Sequence, residues 1–332
     1  MSFFQPVSGT VLSHDIADYP DGIVLPIDKP YRWTSADVIR KVKFAAFRHF
    51  RKKNLKVGHA GTLDPLATGV LLVCIGPACK RAQEFQDHDK EYVADIRFGA
   101  TTPSYDLEKE VDRTFPYDRV TEEAVRAVLP SFLGPQEQVA PLFSAKSVDG
   151  VRAYEMARKL YRNAQKGILD PDFDAAALET LHRSRITISE LELLGFVEAS
   201  AVPSRTNFFS PEKRSKKSCP TPDADAACSE TVLSADTSAA ISSDTSTVIS
   251  SEVEKSASSR INVADTSSLG LPEARIRIAC SKGTYIRAFA RDLGEALGTG
   301  AHLSGLVRTK TGAFLLEDAL SLEEALDLLA SD

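Results

Sequence analysis

The chain contains no CxxC pair, no Cys/His spacing of the zinc type and no apolar run near the ~18 residues a membrane span requires. Its first 19 residues have neither a basic nor an apolar stretch of the kind a secretory leader carries. Nor is there a Rossmann or Walker signature. The glycine-punctuated stretch "GHAGTLDPLATG" (58–69) lacks the Gly-Lys-Ser/Thr ending of a phosphate loop, and no internal repeat is visible. These absences argue against a metalloprotein, a disulfide scaffold, a membrane protein and a nucleotide-binding enzyme. Five cysteines occur, an odd number; Cys74 and Cys280 lie inside apolar runs and read as reduced, buried thiols. A soluble protein of a reducing, cytoplasmic compartment is expected.

What is present suffices for one large domain or two ordinary ones: 332 residues, 43% of them hydrophobic. The formal net charge is −6, yet residues 29–59 carry ten basic side chains against the single acid Asp37. Such a local field suits the phosphate backbone of a nucleic acid, since Lys and Arg contacts to phosphates dominate that affinity. A solvated helix face followed by a lysine-rich loop would show the same charge.

Periodicity places the elements. "DGIVLPIDKP" (21–30) reads as a strand, and 34–47 as a helix capped by Thr34 or Ser35, with Val38, Val42, Ala45 and Ala46 as its apolar stripe. Residues 70–76 form a branched apolar run, hence a buried strand. Residues 91–99 alternate, with Tyr92, Ala94, Ile96 and Phe98 on one side, so a half-buried strand is predicted. Helices follow over 121–134 and 149–162. Residues 183–196 read as a strand pair or one long bent strand. A strand from 274 turns at Lys282-Gly283 into a helix ending near 298, and a capped helix covers 321–330. Strands and helices mixed without a βαβ rhythm indicate an α+β domain with a mixed or largely antiparallel sheet. Residues 1–20 read as a weakly ordered lead-in. Residues 203–270 hold 17 serines and 7 threonines and read as a low-complexity, disordered insert.

Three places could carry chemistry. Asp64 precedes Pro65, which biases it toward extended backbone, and Gly58 and Gly61 permit tight turns or a close ligand. A carboxylate on such a loop can be a nucleophile or a base, although Asp-Pro alone equally reads as a turn initiator. In "SKGTYIR" (281–287), an extended Tyr285–Arg287 would put both side chains on one face, where Arg287 could clamp Asp64 and Tyr285 could stack on a base. A surface Arg and a core Tyr are the plainer reading there, as a packed core tyrosine is for Tyr92. His59 is a lone loop histidine.

Taken in order, "GIVLPIDKP…TSADVIRKVK", "VGHAGTLDPLATGVLLVCIG", "KEYVADIRFGATTPSYD", "APLFSAKSVDGVRAYEMAR" and "SKGTYIRAFARDLGEALGTGAHLSGLVRT" resemble the TruB family of tRNA pseudouridine synthases, which act on uridine 55 of the T-arm. The likeness implies a pseudouridine synthase fold, α+β with a mixed, mostly antiparallel central sheet flanked by helices, built from 21–202 and 271–332. It implies isomerisation of uridine by base flipping, with tRNA as partner, no cofactor or metal and no obligate protein partner. By the same likeness Asp64 is the catalytic aspartate. Tyr92 is the tyrosine that stacks on the flipped uracil and can accept the C5 proton, and Arg287 is the arginine paired with the aspartate. His59 would enter the T-loop. Lys29, with Pro30, matches the Lys-Pro motif near the site, Tyr285 is the active-site tyrosine before the arginine, and Leu306 lines the uracil pocket. The chain departs from the family at "APLFSA" (140–145), where Ala140 and Phe143 replace proline and tyrosine. Only 24 residues follow Arg308, so no C-terminal PUA module is expected. Two alternatives stand beside this reading: the same chemistry on another or an additional RNA, and a catalytically silent RNA-binding or RNA-folding protein.

Overall fold

The computed structural model describes residues 3–7, 9–141, 147–148, 151–152, 183–200, 261 and 263–330. Fourteen strands occur among them: β1 (Ile23–Lys29), β2 (Val57–Ala60), β3 (Ala67–Ile75), β4 (Lys90–Phe98), β5 (Ala100–Thr101), β6 (Arg113–Thr114), β7 (Gly134–Val139), β8 (Ser147–Val148), β9 (Val151–Arg152), β10 (Arg183–Val197), β11 (Glu273–Cys280), β12 (Ala301–Thr311), β13 (Phe314–Leu315) and β14 (Leu320–Ser321). The α-helices are α1 (Ser35–His49), α2 (Ala82–Asp87), α3 (Glu122–Val128), α4 (Ile286–Ala296) and α5 (Leu322–Leu328).

Ten strands form one sheet in the order β14-β1-β3-β12-β4-β11-β10-β7, with β2 beside β3 and β13 beside β12. Only β1–β14 and β3–β12 run parallel; the other pairs are antiparallel. This is the mixed, mostly antiparallel α+β architecture expected from the sequence.

The period of two in each strand decides what each face of the sheet packs against. Ile23, Leu25, Ile27, Leu71, Val73 and Ile75 face the main core, where α1, α4 and α5 contribute Val38, Val42, Phe289, Leu293 and Ala325. The alternate residues Val24, Val70, Leu72 and Cys74 face a second cluster with Phe85 and Phe314. Both faces of β3 are therefore covered, and all nine of its residues are buried.

Helix α1 starts where the sequence says. Thr34 accepts from the Asp37 backbone and the Asp37 carboxylate accepts from the Thr34 backbone, a complete capping box. Its stripe of Val38, Val42 and Ala46 is fully buried, each Val contributing about 1.5–3 kcal/mol of apolar burial. Helix α5 opens on the same device, Ser321 with Glu324.

Several expectations change. The helix predicted over 121–134 is α3 followed by a tighter 3-10 turn, Leu129–Phe132, because Pro130 cannot extend an α ladder. Of the two readings of 183–196, the single long strand holds: Arg183–Val197 is one strand with two register shifts against β11. From Ala94 to Phe98 strand β4 is buried on both sides rather than one, since Asp95 is clamped by Arg275 at 2.7 and 2.9 Å and Arg97 pairs with Glu273; Glu91 and Val93 stay half-buried. Leu12 and Ile16, within the expected lead-in, belong to the main core. Of the helix expected over 149–162, only 151 and 152 are described, and they pair with 147–148. The rest of it, residues 142–146 of the "APLFSA" region and the insert from 203 to 260 lie outside the described residues. Residues 261 and 263–270, assigned to the insert by composition, are described, and Ala264 and Thr266 are buried.

Candidate active site

The loop between β2 and β3 carries Asp64, and its shape is set by polar contacts from four elements. Gly61 adopts φ +85°, and the Asp64 carbonyl accepts from Ala67 N at 3.1 Å, closing a turn around Pro65. Ser35, at the start of α1, accepts from Leu63 N at 3.0 Å and donates to Leu63 O at 3.1 Å. From β12, the fully buried Arg308 donates to Val70 O at 2.7 Å and to Gly61 O at 3.1 Å. From β1, Lys29 donates to the carbonyls of Trp33, Pro30 and Pro65, the last two at 2.9 and 3.1 Å.

The Lys29 side chain is wholly enclosed beneath the Asp64 loop and braces it through these three carbonyls. Burial lowers its pKa to about 7, although Asp64 and Asp28 pull the other way.

Arg287 is on the first turn of α4, not in an extended segment. Tyr285 is extended and forms the N-cap position, so the two side chains do not share a strand face. The helix start has no side-chain cap of its own. The buried amide of Gln138, on β7, instead accepts from Tyr285 N at 2.8 Å and donates to Tyr285 O at 3.1 Å. That clamp fixes where α4 begins and hence where Arg287 points.

The guanidinium meets Asp64 in a two-point pair, Nε to Oδ2 at 2.9 Å and Nη2 to Oδ1 at 3.2 Å. The Arg287 side chain is 6% exposed and that of Asp64 37%, so the carboxylate faces outward with its counter-charge behind it. Nη1 donates to Ser104 O at 3.2 Å, and Asp106 Oδ2 lies 3.7 Å from Nε. Burial alone would favour a neutral guanidine, but Asp64, Asp106 and Glu108 outweigh it and push the Arg287 pKa up. Burial likewise raises Asp106, and it lifts Glu108 to about 7 with help from Asp106 and Asp64.

A cleft of about 640 Å³ opens over the pair. Asp64, Tyr92, Tyr285, Leu306 and Arg308 line it, with Gln83, Asp87 and Lys90 on one side and Ser184, Arg185 and Lys282 on another. Tyr92 and Arg308 are register partners on β4 and β12. Burial raises the Tyr92 pKa, partly offset by Arg308, so the phenol stays protonated at neutral pH. His59 lies on β2, half-buried and outside the residues lining the cleft. Burial and Arg308 lower its pKa, and its Nδ1 has no hydrogen-bond partner among the described residues.

The structure therefore gathers Asp64, Arg287, Tyr92, Tyr285 and Leu306, and leaves Lys29 beneath the site and His59 beside it. The sequence reading missed Asp106, Glu108, Arg308 and Gln138. A lone arginine in the apolar strand "LSGLVRT" was a usable signal for Arg308; Gln138 carried none, since only the fold brings β7 to α4. Among the described residues no three His, Cys, Asp or Glu side chains gather as metal ligands would, and no helix is long and apolar enough to cross a membrane.

Residues 48–167 match the model of the TruB family pseudouridylate synthase N-terminal domain, and 287–332 that of the tRNA pseudouridylate synthase B C-terminal domain. The chain is 39% identical over 306 residues to tRNA pseudouridine synthase B of Phocaeicola vulgatus, covering 92% of each chain. It is 40% identical over 306 residues to the same enzyme of Bacteroides thetaiotaomicron, again covering 92% of each. It also overlays on a Cbf5-Nop10-Gar1 complex with a TM-score of 0.49 and 20% identity, covering 92% of this chain and 54% of that one. With such identity across nine-tenths of both chains, and family models that take in both partners of the Asp64–Arg287 pair, the chain belongs to the TruB family of pseudouridylate synthases.

Proposed function

We propose that the protein isomerises uridine 55 in the T-arm of tRNA to pseudouridine, with Asp64 as the catalytic carboxylate. The observation that carries this is the two-point Asp64–Arg287 pair, whose carboxylate opens into a cleft walled by Tyr92, Tyr285 and Leu306.

A base inside a folded loop must leave its stack before its glycosidic bond can be reached, at a cost of a few kcal/mol. Tyr92 and Leu306 offer a flat, mainly apolar slot for the extruded uracil, and Tyr285 a further face. Asp64 supplies a carboxylate at the slot's edge, as nucleophile or as base, while Arg287 holds it in one orientation. Tyr92, kept protonated by burial, lines the slot where its ring can pack on the base and its hydroxyl can donate to it. Seven of the ten cations within 29–59 are exposed, namely Arg40, Lys43, Arg48, Arg51, Lys52, Lys53 and Lys56. They supply a phosphate-binding surface contiguous in sequence with the loop that carries Asp64. The catalytic unit comprises 21–202 and 271–332, with 203–270 as an insert.

Unmodified tRNA transcript tritiated at uracil C5 provides the test. Wild-type protein is expected to release tritium, and Asp64→Asn to abolish release while retaining most tRNA affinity. Wild type that binds the transcript yet releases nothing would overturn the enzyme reading. An active Asp64→Asn variant would displace Asp64 from its role.

A further inference from the structure

At the end of the serine- and threonine-rich insert, the chain makes contacts of its own before β11 begins at Glu273. Ile261 and residues 263–266 lie against the loops that hold Asp64 and Asp106, and they are tied down at three points. At one end, the Arg32 guanidinium donates to Ile261 O at 2.5 Å. In the middle, Ala264 N donates to Leu107 O at 2.8 Å. At the other end, the buried hydroxyl of Thr266 accepts from Arg97 Nη1 at 2.7 Å.

Between these ties the segment packs into a small apolar cluster of its own. Ala264 is buried against Leu66 and Leu107, with Tyr31, Ile261 and Val263 around them. The partners are telling: Leu66 is two residues past Asp64, and Leu107 is the neighbour of Asp106. Arg32 belongs to the same assembly. Its backbone N–H donates to Pro65 O at 3.0 Å, and its φ of +63° is a conformation an arginine rarely adopts. One residue thus grips the Asp64 loop through its backbone and the crossing segment through its side chain.

We propose that Ile261 and residues 263–266 form a positioning strap for the reaction, fixing the loop of Asp64 against that of Asp106 so that both carboxylates stay aligned on the Arg287 between them. This rests on the catalytic role of Asp64 proposed above. The residues that hold the strap, Arg32, Leu66, Arg97 and Leu107, do not line the 640 Å³ cleft, so loosening it acts on the chemical step and spares tRNA affinity. It also makes the end of the insert part of the catalytic apparatus, although composition groups it with the serine-rich stretch.

Three full-length variants test the strap. Arg32→Met removes the tie to Ile261, Arg32→Lys restores a donor, and Ala264→Leu forces the strap away from Leu66 and Leu107. Single-turnover tritium release at saturating tRNA, tRNA Kd by filter binding and the thermal midpoint are measured for each. Arg32→Met and Ala264→Leu are expected to slow release about ten- to a hundredfold, since small misplacements of reacting groups are costly. Their Kd should stay within about twofold of wild type, the signature of an interaction that serves the transition state. Arg32→Lys should recover part of the rate. Unchanged rates in both disrupting variants would overturn the proposal. So would losses of rate and affinity that track the thermal midpoint, with no rescue by Arg32→Lys, because that pattern is merely structural. A wild type that binds tRNA without releasing tritium would instead refute the function reading.

Discussion

Gly69 lies where β3 runs parallel to β12, with φ at +100° and no room for a side chain: a Cβ there would sit 2.2 Å from Arg308 O and 2.7 Å from Arg308 N. The neighbouring backbone cannot yield, because Arg308 also anchors Gly61 and Val70. Gly69→Ala should therefore destabilise the fold by about 3 kcal/mol or more in urea melts, combining left-handed strain with a backbone clash; a loss under about 1 kcal/mol would show that β12 can shift. Glu108 gives a different single-residue test. Its carboxyl is raised to about 7 in the fold, so the folded state holds a proton that the unfolded chain releases above its ordinary value of 4.5. Stability from this group is full below 4.5 and is lost as pH rises through 7. Glu108→Gln should match wild type near pH 4 and exceed it by about 1–2 kcal/mol at pH 8, the partly accessible carboxyl being screened. An advantage that does not grow with pH would place the proton elsewhere.

At the scale of elements, the site depends on helices whose starts are fixed by different means. Helix α1 carries its own capping box, legible as Thr34-x-x-Asp37. Helix α4 borrows its cap from Gln138 on β7. Gln138→Ala should cost about 1–2 kcal/mol, since it takes the acceptor from Tyr285 N–H and the second of two donors from Tyr285 O, which keeps its bond from Phe289 N. It should also slow tritium release more than it weakens tRNA binding, because Arg287 turns with the helix start; equal losses in both would refute that coupling. Helix α1 does a second thing. It begins at the Ser35–Leu63 contact beneath the Asp64 loop and runs outward at 1.5 Å per residue, bringing Phe44 about 14 Å along. Phe44 is exposed, with Arg48 5.9 Å from its ring. The helix is thus a basic and aromatic spoke leading away from the cleft, suited to phosphates and to an unpaired base.

For the whole molecule, a net charge of −6 coexists with this spoke and with the loop that ends it. If Lys52 and Lys53 meet tRNA phosphates, Lys52→Glu/Lys53→Glu should weaken binding and reduce the slope of log K against log salt by about one per lost contact. A weakened but equally steep dependence would locate the phosphate contacts on other residues.

Sequence by itself determined the elements and the chemistry that local spacing can encode. The capping boxes, the period-two strands, the doubly buried β3 and the Asp-Pro loop are written in neighbouring residues, and the ordered motifs made Asp64, Tyr92 and Arg287 legible as a set. Only the tertiary structure decided which side of the site each residue occupies. Lys29 lies under the loop because the carbonyls of Pro30 and Trp33, from the turn after β1, and of Pro65, from the Asp64 loop, converge on its ammonium. His59 stays outside the cleft because β2 pairs along β3 and turns it aside. Asp106 and Glu108 join the site, and Ile261, Ala264 and Thr266 are tied beside it, through contacts over a hundred residues apart in the chain. No local pattern records such contacts, since they arise only when the sheet order sets distant loops side by side.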